Sequence, residues 1–441
     1  MFKRKATTTM EIIPENMPAT APAPQPLPRF ADGTVNLQEL IRSMAEMLAN
    51  EIMSAEADQL CDATGNSRNG YRERKLTTCV GTLTLRIPKL RSGSFFPADI
   101  IERYQRVDRA VVAAVSEMYA TGTSTRKVAK VAAAMGIERL SKDQVSAMVS
   151  GLDADNEELL GRDLSGLRMP YIWLDATYVK CRTGSHVASV AVVTAIGCDE
   201  DGWRRVLGLD VVDTESYDSW LGFLQGLRAR GVHGVELVTS DAHTGLKRAI
   251  SEVFQGAAWQ RCVVHLIRSC AREAGRGSLA RRVARIVAPV FRAKDAGTVR
   301  AMYHVACEML EACCPRAAAL LEEAEPDALA YLDFPQDHWK RLRTNNVQER
   351  ANREIKRRSR VVQVFPSEKS LLRLAGAVMC DQDEAWSEAR YFSAAKMAEL
   401  HDEQKPEPAE PPSAERREQA LAFARQAIEA SLALADRMEA A

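Results

Sequence analysis

The stretch Tyr171-Ile-Trp-Leu-Asp-Ala-Thr-Tyr-Val-Lys180 is an apolar, β-branched and aromatic run with a carboxylate, Asp175, set in its middle. The run predicts a strand. An ionised carboxylate in a low-dielectric interior loses hydration worth several kcal/mol unless it is paired, hydrogen-bonded or bound to metal. Asp175 therefore needs a partner.

Working outward, the segment from Met169 to about His265 reads as alternating strands and helices. Apolar runs at Tyr171 to Val179, Val187 to Ile196 and Val206 to Val212 predict three consecutive strands, with Gly184 and Gly202 near the turns. A helix follows from about Ser216, with Trp220, Phe223, Leu224 and Leu227 on one face and Gly231 after its end. Val235 to Ser240 reads as a strand ending at Asp241, Gly245 to Phe254 as a helix, and Ala257 to Val264 as a short strand. The order β-β-β-α-β-α-β is that of a ribonuclease H type sheet, an open α/β arrangement that puts strand tips carrying ligands on one edge.

From Leu266 to about Arg341 the pattern is helical, and Arg272, Arg276, Arg281, Arg282, Arg285, Arg292 and Lys294 give its first part a positive bias. Thr344 to Arg360 predicts another helix, with Val347, Ala351 and Ile355 on one face and Glu349, Asn352, Arg353, Lys356 and Arg360 on a different one. Asp175, Asp241 and a helical Glu349 surrounded by arginines are what a two-metal phosphoryl-transfer site requires. Mg²⁺ or Mn²⁺ takes oxygen ligands, and two ions about 4 Å apart activate the attacking oxygen and stabilise the leaving one. Each partner also has a plainer reading. A charged helix face commonly faces water, and Ser-Asp after a strand commonly caps a helix. Cys262 and His265 have metal-like spacing without a matching second pair nearby, so a buried Cys and a hydrogen-bonded His suffice. No Gly-rich phosphate loop is present, which removes the motif for ATP use, and Ser240 lacks the glycine-flanked elbow of a hydrolase nucleophile.

The flanks carry less chemistry. Residues 1–34 are Pro-rich and predict a disordered tail. From Asn36 to about Ala63, Leu37, Leu40, Ile41, Met44, Met47, Leu48 and Ile52 recur at threes and fours, an amphipathic helix whose stripe is either core or a dimer seam. Asn66 to Lys75 is a turn signal inside a basic cluster that includes Arg68, Arg72, Arg74, Arg86, Lys89 and Arg91, and Leu76 to Pro88 predicts a small hairpin around Gly81. Between Val107 and Leu152 three short helices, with Ser124 and a Ser141/Gln144 capping box at two of their starts, fit a helix-turn-helix or a plain bundle. A Pro/Glu-rich linker after Leu400 leads to a final amphipathic segment, about Glu415 to Met438, for packing or oligomerisation. Lys plus Arg equals Asp plus Glu at 59 each, so only the distribution of charge points to a polyanion. With no run long enough for a membrane span, no signal peptide, and 10 cysteines in no repeating pattern, the expectation is an unexported protein with reduced thiols in the cytoplasm.

From about Asn66 to Tyr391 the chain resembles the Mutator-type transposases of bacterial insertion sequences, a DDE group with a ribonuclease H-like catalytic domain. The resemblance rests on Arg68-Asn-Gly-Tyr-Arg72, Leu85-Arg-Ile-Pro-Lys89, Phe95-Phe-Pro97, Glu117-Met-Tyr119 with Thr123-Ser-Thr-Arg126, and Trp173-Leu-Asp-Ala-Thr-Tyr-Val-Lys180. It continues through Thr239-Ser-Asp-Ala-His243, Arg261-Cys-Val-Val-His265, Glu349-Arg350 with Asn352-Arg-Glu-Ile-Lys-Arg-Arg358, Phe365-Pro366, and Trp386 with Arg390-Tyr391. The family's usual Thr-Thr-Asn-Ala before the last motif is here Thr344-Asn-Asn-Val347.

The resemblance implies that Asp175, Asp241 and Glu349 are both the catalytic triad and the ligands of Mg²⁺ or Mn²⁺, as two ions, with no nucleotide cofactor. Cys262 and His265 match a family pair whose role stays open. It implies DNA partners, terminal inverted repeats and target DNA, a homo-oligomer on DNA, no membrane, and nucleoid association in a bacterial cytoplasm. Candidate DNA-backbone contacts are Arg350, Arg353, Lys356, Arg357, Arg360, Arg68 and Arg72. The implied layout is a mostly helical DNA-binding region over 35–168, a ribonuclease H-like mixed sheet over 169–265 and 344–400, an all-helical insertion over 266–343, and a linker with a C-terminal helix over 401–441. The competing readings are a non-catalytic DNA-binding regulator derived from such a transposase and a ribonuclease H-like nuclease.

Overall fold

A computed structural model describes residues 27–97, 101, 107–135, 137, 140–401 and 414–440. Most of the Pro-rich tail and most of the linker after Leu400 lie outside them. Residues 27–34 form a turn closed by an isolated bridge between Arg29 and Val35. Two compact units are present, one within residues 1–111 and 131–139 and the other within 112–130 and 140–441.

In the first unit, helix α1 (Leu37–Thr64) is capped by the Asn36 side chain, which accepts from the Glu39 amide, and stops at Gly65 with φ 62°. It lies on an antiparallel hairpin, β1 (Arg68–Thr78) and β2 (Gly81–Leu90). Asn50 fixes the contact, donating to the Thr84 carbonyl at 3.2 Å and accepting from the Arg86 amide at 2.7 Å. Met53, Leu76, Leu83, Leu85, Ile87 and Ile101 make the core between them. The basic stretch expected as a turn is therefore mostly strand: Arg72 to Lys75 pair with Thr84 to Ile87, and the turn falls at Cys79 and Val80. The Asn69-Gly70 pair that suggested a turn sits in a register shift between Arg68 and Tyr71, where Gly70 has φ 77°.

Four helices precede the sheet of the second unit: α2 (Arg109–Ala120), α3 (Thr125–Ala134), α4 (Lys142–Met148) and α5 (Leu152–Gly161). The Ser141/Gln144 capping box is present, and α5 extends the helical run beyond Leu152. The mixed sheet then follows as β3 (Tyr171–Thr183), β4 (His186–Cys198), β5 (Arg204–Val212), α6 (Tyr217–Ala229), β6 (Leu237–Ser240), α7 (Thr244–Val253) and β7 (Ala258–Arg261). Its strand order is β5-β4-β3-β6-β7, antiparallel on one side of β3 and parallel on the other. The three long strands and the order of elements are those expected; β7 ends sooner, because a helix starts at Val263.

Strand alternation assigns β3 to two cores. Ile172 and Leu174 face Trp220, Leu224, Leu246 and Ile250 from α6 and α7. Tyr171 and Trp173 face the helices that follow the sheet: α8 (Val263–Glu273), α9 (Ser278–Val287), α10 (Ala296–Glu311), α11 (Pro315–Ala328), α12 (Trp339–Leu342), α13 (Asn346–Val362) and α14 (Glu368–Ser387). Helix α15 (Ala394–Ala398) follows, and α16 (Ala414–Ala440) packs on α10 through Ala424 and Ile428. At the β4–β5 turn Gly202 has φ 85°, and a Cβ there would lie 2.2 Å from the Phe392 carbonyl oxygen, so only glycine admits this close backbone approach. All ten cysteines are free thiols, and among the described residues no helix is long and apolar enough to cross a membrane.

His338 sits fully buried under the start of β3, its Nδ1 2.7 Å from the Tyr171 hydroxyl and its Nε2 3.0 Å from the Lys396 carbonyl. Those partners define the neutral ring, with Nε2 donating and Nδ1 accepting. Burial holds its pKa down at about 4 against an ordinary 6.5. The unfolded chain then binds the proton first, so this contribution is complete above pH 6.5 and drains away as pH falls toward 4, by about 3 kcal/mol at most. Melting temperatures of the wild type and of His338→Gln should converge between pH 7 and pH 4.5; a constant difference would contradict the buried neutral ring.

Candidate active site

Asp175 lies on β3 on the side facing α13. The Asn352 amide donates to its Oδ2 at 2.7 Å and its neighbour's amide, Ala176 N, donates to Oδ1 at 3.0 Å. Two neutral donors do not offset a buried charge. Burial first, then the nearby charge of Asp241 and more weakly that of Glu215, push the Asp175 carboxyl up to about 7.

Helix α13 is stitched to β3 by side-chain amides. Asn345, just before it, donates to the Leu174 carbonyl at 2.8 Å. Gln348, fully buried, donates to the Trp173 carbonyl at 2.7 Å and to the Thr194 carbonyl at 3.2 Å, and accepts from the Thr194 hydroxyl at 2.8 Å. Val347, Ala351 and Ile355 bury the apolar face as expected. Asn352, grouped in sequence with the charged face, is buried instead, with its Oδ1 left unpartnered.

Glu349 lies beside this stitched face and is partly exposed, 3.4 Å from the Arg268 guanidinium. Asp241 follows β6 directly, and it does not cap α7: that cap is His243, whose side chain accepts from the Leu246 amide. His265, on the first turn of α8, feels the charges of both Asp241 and Glu349, although burial, the stronger effect, lowers its pKa; its Nδ1 has no partner. Cys262 is buried before that helix and accepts from the Asn345 amide at 3.4 Å.

Asp175, Thr177, His265, Glu349 and Asn352 line one cleft of about 480 Å³, whose other wall is basic, with Arg268, Arg353, Lys356, Arg357 and Arg360. Asp241 is not among the lining residues, and among the described residues no three His, Cys, Asp or Glu side chains are gathered tightly enough to hold an ion as they stand. The donor set nonetheless suits a hard dication. It consists of carboxylate oxygens whose mutual repulsion a cation relieves, with the buried Thr177 hydroxyl and Asn352 Oδ1 unpartnered beside them. Arg350 is exposed on α13 outside that lining. In the first unit Arg72 is exposed, but Arg68 is engaged by the Ser54 hydroxyl and carbonyl and by Asp58 of α1.

Sequence reasoning missed Glu215, a fourth carboxylate, held by the Tyr178 hydroxyl and raised in pKa by burial and by Asp241. Its position in the β5–α6 loop carried no motif. The fastening roles of Asn345 and Gln348 were also missed, although an unusual run of amides at 345, 346, 348 and 352 was visible.

The sequence model of a family described as "Transposase, Mutator family" matches residues 29–389. The chain belongs to that family. Among its relatives, the transposase for insertion sequence element IS1081 of Mycobacterium tuberculosis is 37% identical over 362 residues, covering 80% of this chain and 87% of that protein. The transposase for ISRM5 of Rhizobium meliloti is 37% identical over 368 residues, covering 81% and 90%. That for IS256 in transposon Tn4001 of Staphylococcus aureus is 34% identical over 354 residues, covering 79% and 90%. Among solved structures, a Drosophila P element transposase strand transfer complex aligns with 72% of this Mutator-family chain and 91% of its own at 10% identity and a TM-score of 0.27, too low to inform the fold.

Gln348→Ala would remove the side-chain partner of the Trp173 and Thr194 carbonyls and leave the Thr194 hydroxyl only its 3.4 Å bond to the Asp175 carbonyl, which costs about 2–4 kcal/mol by the usual penalty for unsatisfied buried groups. Arg353→Ala, at an exposed position five residues further along the helix, should stay within about 0.5 kcal/mol. Denaturant unfolding of both variants measures the contrast, and equal stabilities would show that the amides do not fasten the helix.

Proposed function

We propose that this Mutator-family protein is a DNA transposase that binds the terminal inverted repeats of an insertion sequence, cleaves the ends and joins the freed 3′-hydroxyl to target DNA through Asp175, Asp241 and Glu349. The observation that carries the reading is the placement of a strand carboxylate under-compensated by neutral donors, with a second carboxylate's charge upon it and a third on the helix stitched to the same strand, beside a basic cleft. The sheet that bears them is read as ribonuclease H-like, from the order of strands and helices.

On this reading Asp175, Asp241 and Glu349 would hold two Mg²⁺ or Mn²⁺ ions, which supply activation of the attacking oxygen and stabilisation of the leaving one. Asn352 orients the Asp175 carboxylate by its 2.7 Å hydrogen bond. Arg353, Lys356, Arg357 and Arg360 hold the phosphodiester backbone against the cleft and fix the in-line approach, since both steps are displacements at phosphorus. Neither step needs a covalent enzyme intermediate or a nucleotide cofactor. Two element ends must meet, so the acting form is a homo-oligomer on DNA, in the bacterial cytoplasm and at the nucleoid.

Asp175→Ala, Asp241→Ala and Glu349→Ala, made separately, should each lower end cleavage more than about a hundredfold, since even indirect supports of a metal site cost 10–100-fold. Repeat binding in a gel-shift assay should persist. Full cleavage by any one variant would remove that residue from the mechanism, and repeat binding without cleavage in the wild type would favour a regulator. Binding should weaken steeply with salt, and each of Arg353→Ala and Lys356→Ala should reduce the slope of log affinity against log salt by about 1.

A further inference from the structure

Helix α1 carries apolar side chains on two opposite sides. One side is used: Ala45, Ala49 and Met53 pack on the hairpin, and Ala57 and Cys61 are buried. The other is not. Leu37, Ile41, Met44, Leu48 and Ala55 recur at spacings of four, three, four and seven, a single seam by helical geometry, and all are exposed. Met44 and Met53 are nine residues apart, two and a half turns, so they point in opposite directions; Met53 is 0% exposed and Met44 60%. Met47 and Ile52 flank the seam at 53% and 43% exposed. The sequence left this stripe as core or dimer seam, and the packing removes the first option, because the hairpin occupies the other side.

We propose that the exposed face of α1 is a self-association surface that pairs with α1 of a second copy of this chain, antiparallel, about a two-fold axis near Met44. The direction follows from charge. Glu51, seven residues after Met44, continues the seam, and Asp58 and Asp62 extend it. In a parallel pair Glu51 would face its own copy, and like charges at a seam are destabilising. In the antiparallel pair Met44 meets its own copy, Ile41 meets Leu48, Leu37 meets the aliphatic stem of Glu51, whose carboxylate reaches solvent at the end of the seam, and the acidic ends diverge. A two-fold interface uses the same patch on both copies, and this patch is complementary to itself. Two helices in contact from Leu37 to Ile52, about 22 Å at 1.5 Å per residue, bury on the order of 1,000 Å², at the lower bound for a specific interface. Dimerisation in the micromolar range is expected. The surface is independent of the metal chemistry, so it stands or falls separately from the triad.

The test is the mass of the full-length protein in solution, without DNA, by light scattering at micromolar to tens of micromolar concentration. The expected result is a dimer, or a multiple of one, whose dissociation constant rises at least a hundredfold in the double variant Met44→Glu/Leu48→Glu. Circular dichroism should stay unchanged, because both side chains lie in solvent in the single chain. A monomeric wild type overturns the proposal, including the case in which residues 1–26 cover the face. A wild-type dimer that the double variant leaves intact also overturns it, since the contact then lies elsewhere. Orientation is read in a Cys79→Ser background: chains with Ile41→Cys mixed with chains with Leu48→Cys should crosslink under mild oxidation more than either alone. Crosslinking of Leu48→Cys with itself at equal yield would overturn the antiparallel pairing.

Discussion

The buried amide of Gln348 decides where Glu349 can be. The apolar side of α13, Val347, Ala351 and Ile355, supplies attraction to the sheet, but burial of apolar surface is non-directional and tolerates sliding. The hydrogen bonds from Gln348 to the carbonyls of Trp173 and Thr194, and from Asn345 to that of Leu174, do not. They join side chains to backbone within two residues of Asp175 on either side of the β3–β4 ladder, so the helix has one register against the strand. Asn345, Gln348 and Asn352 lie at spacings of three and four, one stripe of the helix, and the next residue after Gln348 is rotated by about 100° toward the cleft. The carboxylate of Glu349 is thus presented by an arrangement whose strength lies one residue away from it.

Much of this architecture was legible, for identifiable reasons. Tyr171 to Leu174 of β3, Val190 to Cys198 of β4 and Val206 to Leu209 of β5 are buried on both faces, so the apolar runs there were unbroken, and the turns between the strands were marked by Gly184 and Gly202. Asp175 was legible as an anomaly, because no packing reason puts a carboxylate there. Asn352 was not: a buried asparagine and a solvated one have the same periodicity, and only the presence of Asp175 opposite it separates them. The hairpin was misjudged at its start for a related reason. Asn69-Gly70 satisfies the local chemistry of a turn, while the exposed face of β1 places no apolar requirement on Arg72 to Lys75, so nothing local opposed the turn reading. Asp241 looked like a helix cap, and the cap two residues later, His243, is an uncommon residue for that task.

The distribution of basic residues matters more than their number. Arg68 is part of a prominent basic cluster, yet its fork is spent on Ser54 and Asp58, where it fastens the hairpin to α1. Arg373 is likewise held by Asp153 at 2.6 and 2.7 Å, and Arg358 by Asp381 at 3.1 and 3.2 Å. Such bidentate or charge-assisted bonds occupy the donors that a phosphate would need. On α13 the division is sharp: Arg358 is buried and paired, whereas Arg353, Lys356 and Arg360 line the cleft beside Glu349. One helix therefore supplies both the fastening and the basic wall, from different faces.

The same division leaves the carboxylates weakly compensated without unfolding the sheet. Glu349 is balanced by Arg268 at 3.4 Å, with the arginine exposed and the glutamate partly so, and a pair of that kind is worth about 0–1 kcal/mol. Asp175 is balanced by a neutral amide and by taking up a proton more readily than an ordinary carboxyl, which removes its charge rather than pairing it. Neither arrangement is strong, and neither involves the Gln348 bonds that hold the helix in place. On the proposed reading, dications displace a weak ion pair at one carboxylate and a proton at another. The cost of exchange is then confined to the site, and the position of α13 on β3 is the same before and after.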